Sequence, residues 1–210
     1  MRRELKKDKD LVKALYMIIR KYLPDLFTWF AELTDVRNQD YVTYKMKTIC
    51  VTRLFGLLCG ITSMNGITDT FDTEETITNM NYIAGCNLKE LPHHDTIADV
   101  FENLSIKELR LIQKNIAYTL IRSKMFDKYR YNNSFLLVFD GTGLNSFSYN
   151  LNNNCTFRKS KDGAITYFKY VLEAKLIFGP VVVSIDSEFI ENHDISSDDD
   201  KQDCETKAFK

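Results

Sequence analysis

The chain has 210 residues, a length that allows one ordinary domain or two small ones. Its 44% apolar and 27% charged residues lie near the globular averages, which excludes a long disordered or fibrous protein. Twenty-eight basic and twenty-nine acidic residues leave a net charge of −1, so overall charge favours no class of partner.

Cysteine usage and hydropathy bear on the compartment. The longest apolar stretch, residues 49–61, is interrupted by Thr52 and Arg53 and is shorter than the ~20 residues that span a bilayer. The basic N-terminus lacks the apolar core of a signal peptide. An odd number of widely spaced cysteines without a CxxC motif favours a reducing compartment. We therefore expect a cytoplasmic protein with no membrane partner.

Hydrophobic spacing predicts helices in the first half of the chain. Apolar residues between Leu11 and Ile19 recur at helical spacing and stop at Pro24. Residues 61–75 are rich in Thr, Asn and Asp and predict a loop. Ser105 and Glu108 have the spacing of a capping box, which opens a helix. Further helices are therefore expected over residues 41–59, 75–83, 97–104 and 105–120.

The adjacent histidines His93 and His94 precede one of these helices, which Asp95 or Thr96 can cap. Two consecutive side chains in an extended segment point to opposite sides. Capping or packing is therefore favoured for the histidines, and a metal-ligand pair is the less favoured alternative.

The pattern changes at about Tyr129, where strands are expected. Residues 134–139 form a short, continuously apolar run, typical of a strand buried on both faces, and the run ends in Asp140-Gly141-Thr142. Residues 145–154 contain five asparagines and predict a loop. The expected hairpin joins residues 165–177 to 181–185, and a helix is expected to begin near Lys201.

Asp140 is the candidate catalytic residue. The predicted elements match the opening of an RNase H-like fold, which has a strand, an Asp-Gly-Thr motif, a long connecting segment, a hairpin and a helix. In that fold a carboxylate at the end of the first strand joins two more to bind a pair of Mg²⁺ ions. On the pattern alone, however, Asp140-Gly141-Thr142 is also an ordinary turn, and the turn is favoured.

Three segments, in this order, carry a family resemblance. They are Leu91-Pro-His-His-Asp-Thr-Ile97 with Asp99 and Leu104; Phe139-Asp-Gly-Thr142; and Val171-Leu-Glu-Ala-Lys-Leu176 with Glu188-Phe-Ile-Glu-Asn192 and residues 201–209. Together they cover about residues 90–210 and resemble the DDE-type transposases of bacterial insertion sequences, in their RNase H-like branch.

This resemblance implies DNA cutting and strand transfer, with Mg²⁺ or Mn²⁺ as cofactor and Asp140 as the first metal ligand. It implies insertion-sequence ends and target DNA as partners, and a homodimer or association with an intact transposase. The second Asp and the Glu of the triad lie further on than residue 210, so we expect a truncated chain that is inactive by itself. Glu173 and Asp186 are among the acidic residues expected to be solvated, capping or ion-paired instead.

The charge is unevenly distributed. Residues 121–180 carry nine basic and four acidic side chains, whereas residues 186–210 are strongly acidic. Solvated, unrelated faces are the favoured explanation, and a polyanion groove beside a carboxylate cluster is the alternative. Under that alternative the candidates for phosphate contact are Arg158, Lys159 and Lys161.

The sequence therefore predicts a mixed α+β protein. A helical region over residues 1–128, with a possible DNA-binding role, precedes an incomplete RNase H-like domain over 129–210. If the sheet holds only three strands, residues 134–139 become an exposed edge. The predicted function is that of a truncated transposase. The alternatives are a non-catalytic DNA-end-binding module that competes with an intact transposase, and an unselected remnant.

Overall fold

The computed structural model describes residues 13–151 and 155–191. They belong to two compact units, one ending at Leu120 and the other beginning at Ile121, whereas the sequence placed the division after residue 128. The first unit is helical and the second holds an antiparallel sheet. The predicted mixed α+β class, with helices before strands, is confirmed. The helix predicted from Lys201 lies outside the described residues.

The helices follow the predicted order with shifted ends. No helix among the described residues is both long enough and apolar enough to cross a membrane. A single π-helical turn, Ile67–Phe71, interrupts the predicted loop, and a short 3-10 turn covers Gln39–Tyr41. The α-helices are α1 (residues 13–22), α2 (Leu26–Glu32), α3 (Met46–Leu58), α4 (Glu74–Ala84), α5 (His94–Glu102) and α6 (Ile106–Arg122).

Side-chain caps set several helix ends. The Thr73 hydroxyl accepts a hydrogen bond from Thr76 N at 3.2 Å, and Gly85 ends α4 in the left-handed conformation at φ 64°. Ser105 Oγ accepts from Glu108 N at 3.4 Å, as the capping box predicts. The Glu108 carboxylate instead accepts from the Thr34 hydroxyl at 2.6 Å, which ties the start of α6 to the segment after α2.

The helical unit has a continuous apolar core. Helix α3 packs against α2 and α4, and its residues Ile49 and Val51 are fully buried. Ile67 from the π-helical turn and Ile97 from α5 are also fully buried in the same cluster. The run of buried residues from Thr48 to Thr52 shows that α3 is buried around most of its circumference, and burial of this apolar surface stabilises the unit.

The strands of the second unit form one antiparallel sheet with β3 at its centre. Along residues 170–177, β3 pairs with β1 on one edge and β4 on the other, and at 167–168 it pairs with β1 and β2. Because a strand has two edges, β2 and β4 lie end to end along the same edge of β3. The strands are β1 (Leu136–Phe147), β2 (Thr156–Lys159), β3 (Ile165–Phe178) and β4 (Val181–Ile190).

Strand β1 differs from the prediction in its length and burial. It continues from Leu136 through Asp140 to Phe147, so the predicted loop over residues 145–154 begins later. Burial on both faces was wrong: Leu136 is 59% and Phe139 44% exposed. Among the described residues no strand pairs with the second edge of β1, so this strand lies at an edge of the sheet and not inside it.

Aromatic side chains form the best-packed part of the sheet unit. The Phe178 ring is fully buried, with its centroid 4.7 Å from the rings of both Phe126 and Phe135. The Phe126 ring is stacked on it and the Phe135 ring meets it edge-on, the two arrangements that ring quadrupoles favour. This cluster anchors the β3–β4 turn to the residues that precede β1.

Candidate catalytic carboxylate and nucleic-acid contacts

Asp140 lies inside β1 and not at a turn. It faces Glu173 of β3 directly, and the next two residues, Gly141 and Thr142, pair with Leu172 and Val171. The interpretation of Asp140-Gly141-Thr142 as a turn or a strand end was therefore wrong. The strand continues because β3 offers backbone partners along this whole stretch, and local sequence does not reveal that partner.

Asp140 and Glu173 share one face of the sheet with Lys175. Directly opposite residues project from the same face, and Lys175 is two residues beyond Glu173 on β3. Lys175 Nζ lies 2.8 Å from Glu173 Oε2 and 3.9 Å from Asp140 Oδ2. We call this side of the sheet, defined by Asp140, Glu173 and Lys175, the carboxylate face.

Charge pairing shifts the pKa values of Glu173 and Lys175. The hydrogen bond from Lys175, followed by that from Ser184, lowers the pKa of the Glu173 carboxyl below its usual value. The hydrogen bond to Glu173 and, to a smaller extent, the charge of Asp140 raise the pKa of Lys175. Glu173 is thus ion-paired, as the sequence predicted, whereas the Asp140 side chain stays 61% exposed.

The donor set at Asp140 fits one Mg²⁺ ion and not a pair. Magnesium is commonly held by one or two carboxylates, with water and substrate phosphates completing its octahedron. Asp140 supplies one exposed carboxylate, and the Glu173 carboxylate is already engaged by Lys175. Within the described part of the chain, Asp140 joins no group of three His, Cys, Asp or Glu side chains that could hold an ion.

The three predicted phosphate contacts lie at the far end of the sheet. Arg158 and Lys159 are exposed in β2, and Lys161 lies in the turn between β2 and β3. Lys159 pairs with Ile165, eight residues before Glu173 on β3, which at the strand rise is about 27 Å. The structure therefore separates these basic residues from Asp140 along the length of the sheet.

Strand alternation divides the basic residues between the two faces. Lys159 pairs with Ile165, which projects from the same face as Glu173 because an even number of residues separates them on β3. Arg158 pairs with Thr166, which projects from the opposite face. The Arg158 guanidinium lies 5.5 Å from the centroid of the Phe168 ring on that opposite face. The predicted set of three is thus not one contiguous patch.

Two lysines were missed as candidate site residues. Lys169 and Lys175 project from the carboxylate face, because they occupy odd positions of β3 like Glu173. The spacing of Lys169, Glu173 and Lys175 along one predicted strand was a usable signal for a charged face. The proximity of these residues to Asp140 could be recognised only from the register of the β1–β3 pair.

His93 and His94 lie side by side, which corrects the prediction that they point opposite ways. Their ring centroids are 4.1 Å apart. His93 caps α5 in an extended conformation, whereas His94 is already helical, and this change of backbone conformation brings the rings together. The predicted capping role is confirmed, since His93 Nδ1 accepts from Asp95 N at 3.3 Å.

Comparison with known families found one similarity, in the helical unit. Residues 27–115 match a family model described as DDE_Tnp_1-associated, and this stretch lies wholly within the helical unit. Comparisons with curated proteins and with solved structures found no match. The matched family points to DDE-type transposases, and the resemblance identified from the sequence is confirmed.

Proposed function

We propose that the chain is a DNA-binding protein of insertion-sequence transposition whose carboxylate face contacts the phosphate backbone. The observation that carries the proposal is the shared face of Asp140, Lys159 and Lys169 in a chain with a transposase-associated segment. Insertion-sequence ends and target DNA are the partners, and the protein acts as a homodimer or together with an intact transposase.

The spacing of the charges supports a contact with extended DNA. Lys169 lies about 14 Å and Lys159 about 27 Å from Glu173 along β3, from the strand rise. Lys159 and Lys169 are therefore about 14 Å apart along β3, and because phosphates of one DNA strand follow each other at about 3.4 Å along the helix axis, the two lysines span roughly four phosphate steps. Such a row neutralises phosphates without reading bases.

Asp140 is the proposed metal ligand of this face. A Mg²⁺ or Mn²⁺ ion held there would polarise a phosphodiester oxygen of the bound DNA. Lys175 holds Glu173 away from such an ion, and the RNase H-like chemistry of the family requires further carboxylates. We therefore propose that the chain by itself binds DNA without cleaving it.

The DNA-binding step is tested by a salt titration. Fluorescence anisotropy of the full chain with a duplex of the flanking inverted repeat is measured from low to physiological salt. The double variant Lys159→Gln/Lys169→Gln is expected to lower the salt slope of log K by about 2, since each phosphate contact contributes about one counterion. Arg158→Gln, on the other face, is the matched control and is expected to leave the slope nearly unchanged.

The outcomes separate the alternatives. No binding at low salt contradicts any DNA-binding role and favours an unselected remnant. Equal effects of Arg158→Gln and of the double variant contradict the carboxylate face as the contact surface.

The catalytic step is tested by nicking of the same duplex in Mg²⁺ and in Mn²⁺. No cleavage is expected from the full chain. Cleavage that disappears in Asp140→Ala would show an active enzyme and contradict the proposal of an inactive chain. The competing candidate, a module that blocks ends against an intact transposase, predicts inhibition of that transposase in the same assay.

A further inference from the structure

Three potential metal ligands meet at the start of α5. One ligand atom each from His93, His94 and Asp95 lies within 4.8 Å of the other two. His94 Nε2 is 3.3 Å from Asp95 Oδ1, and His93 Nδ1 is 3.5 Å from Asp95 Oδ2. Ligands about 2.0–2.2 Å from a tetrahedral metal are separated from one another by about 3.3–3.6 Å. Both contacts with Asp95 have the spacing of ligands around one ion, and His93 Nδ1 would exchange its capping hydrogen bond from Asp95 N for the ion.

We infer that His93, His94 and Asp95 bind a divalent transition-metal ion of the Zn²⁺ or Co²⁺ type. Imidazole nitrogens with one carboxylate oxygen form a donor set that suits these ions better than Mg²⁺ or Ca²⁺. Three protein ligands leave a fourth position for water, and the exposed side chains of His93 and Asp95 give the ion an entry path. The positive end of the α5 dipole opposes a cation, and the Asp95 charge in the first turn offsets that repulsion.

Thr68 is the positioning residue of this site. Its hydroxyl oxygen accepts a hydrogen bond from His94 N at 3.1 Å and lies 3.0 Å from His94 Nδ1. A hydrogen bond at Nδ1 orients the His94 ring and leaves Nε2, the atom next to Asp95, for the ion. Because Thr68 belongs to the π-helical turn Ile67–Phe71, bound metal would also hold that turn against α5.

Imidazole NMR of the full chain, titrated with Zn²⁺, tests the site directly. Long-range ¹H–¹⁵N spectra are expected to show saturable shifts of the His93 and His94 ring nitrogens at one ion per chain. The titration is made in a Cys59→Ser background, because Cys59 is an exposed free thiol and cysteine sulfur is a common Zn²⁺ ligand.

Variants assign the ligands and the positioning role. His93→Ala, His94→Ala and Asp95→Asn are each expected to weaken Zn²⁺ binding at least ~10-fold, and Thr68→Val by ~10-fold, with recovery in Thr68→Ser. Asp99→Asn, an exposed carboxylate on the same helix, is the matched control and keeps full affinity. Asp140→Asn is also expected to have no effect, so this test is independent of the proposed DNA chemistry.

Two outcomes would overturn the inference. One is the absence of saturable shifts at the rings of His93 and His94 in the Cys59→Ser background, in which all three proposed ligands are unchanged. The other is Zn²⁺ affinity that stays the same in His94→Ala and Asp95→Asn.

Discussion

Asp140 lies directly opposite Glu173 across the β1–β3 pair, and the Lys175 ammonium lies close to both carboxylates. Two like charges facing each other on one side of a sheet repel, and the lysine relieves that repulsion. In this arrangement the cation next to Asp140 is supplied by the chain itself. A metal ion that binds Asp140 must therefore compete with Lys175.

Replacing Lys175 tests that competition. Lys175→Met is expected to raise the Mn²⁺ affinity of Asp140 at least ~5-fold, because it removes a positive charge 3.9 Å from Asp140 Oδ2 and releases Glu173. Electron paramagnetic resonance of free Mn²⁺ measures the affinity. Lys159→Met, which removes the same charge from the same face about 27 Å away, is the control. Equal affinities of the wild type and Lys175→Met would contradict the competition.

The Asp35–Arg37 pair predicts a pH dependence in the helical unit. Arg37 donates to both Asp35 carboxylate oxygens, at 2.8 and 2.7 Å, and these hydrogen bonds lower the pKa of Asp35. A lowered pKa stabilises the fold above the unfolded value near 4, and this stabilisation is lost as the pH falls through the folded value. Asp35→Asn is therefore expected to cost about 1–3 kcal/mol at pH 7 and progressively less below pH 4.

Denaturant unfolding followed by Trp29, the single tryptophan, measures this difference at each pH. Asp40→Asn removes an exposed carboxylate of the neighbouring turn and is expected to change stability little at any pH. A cost of Asp35→Asn that is constant from pH 7 to pH 3 would contradict the ion pair as its source.

The exposed apolar part of β1 predicts aggregation. Leu136, Leu137 and Val138 are 59%, 42% and 37% exposed, and an apolar strand with an edge open to other chains is a template for pairing. Leu137→Lys is expected to slow aggregation several-fold, measured by light scattering. Leu137 pairs with Leu176 on the face opposite Asp140, so the carboxylate face is left intact.

Leu58→Lys, at the end of α3, is the control for a general solubility effect, because Leu58 is 52% exposed in the helical unit. Equal protection by both lysines would show that the β1 edge is not the aggregating surface.

Gly179 in the β3–β4 turn predicts a backbone-specific cost. It has φ +66°, and a Cβ at this position would collide with the Tyr129 ring. Gly163 in the β2–β3 turn has φ +88° with nothing within 4 Å, so it isolates the conformational cost alone. Gly163→Ala is expected to cost about 1–2 kcal/mol, and Gly179→Ala at least about 1 kcal/mol more. Equal midpoints of denaturant unfolding by circular dichroism would show that the Tyr129 ring simply moves aside.

Local patterns predicted the elements but not their partners. The strand expected over residues 165–177 is β3, Ile165–Phe178, because β-branched and aromatic residues bounded by a Gly-Pro turn are a local signal. The Ser105–Glu108 spacing likewise predicted the start of α6. The link from Glu108 to Thr34 was not predictable, since these residues are 74 positions apart in the chain.

The amino-acid sequence by itself determined a mixed protein with helices before strands, its transposase resemblance and Asp140 as the candidate carboxylate. These depend on periodicity and short motifs, which neighbouring residues encode. Only the tertiary structure decided that Asp140 faces Glu173 inside a strand, that Lys159 and Arg158 lie on opposite faces, and that the two histidine rings meet. The physical reason is that strand register and the packing of a helix start depend on long-range pairing, and a shift of one residue would move every side chain to the other face.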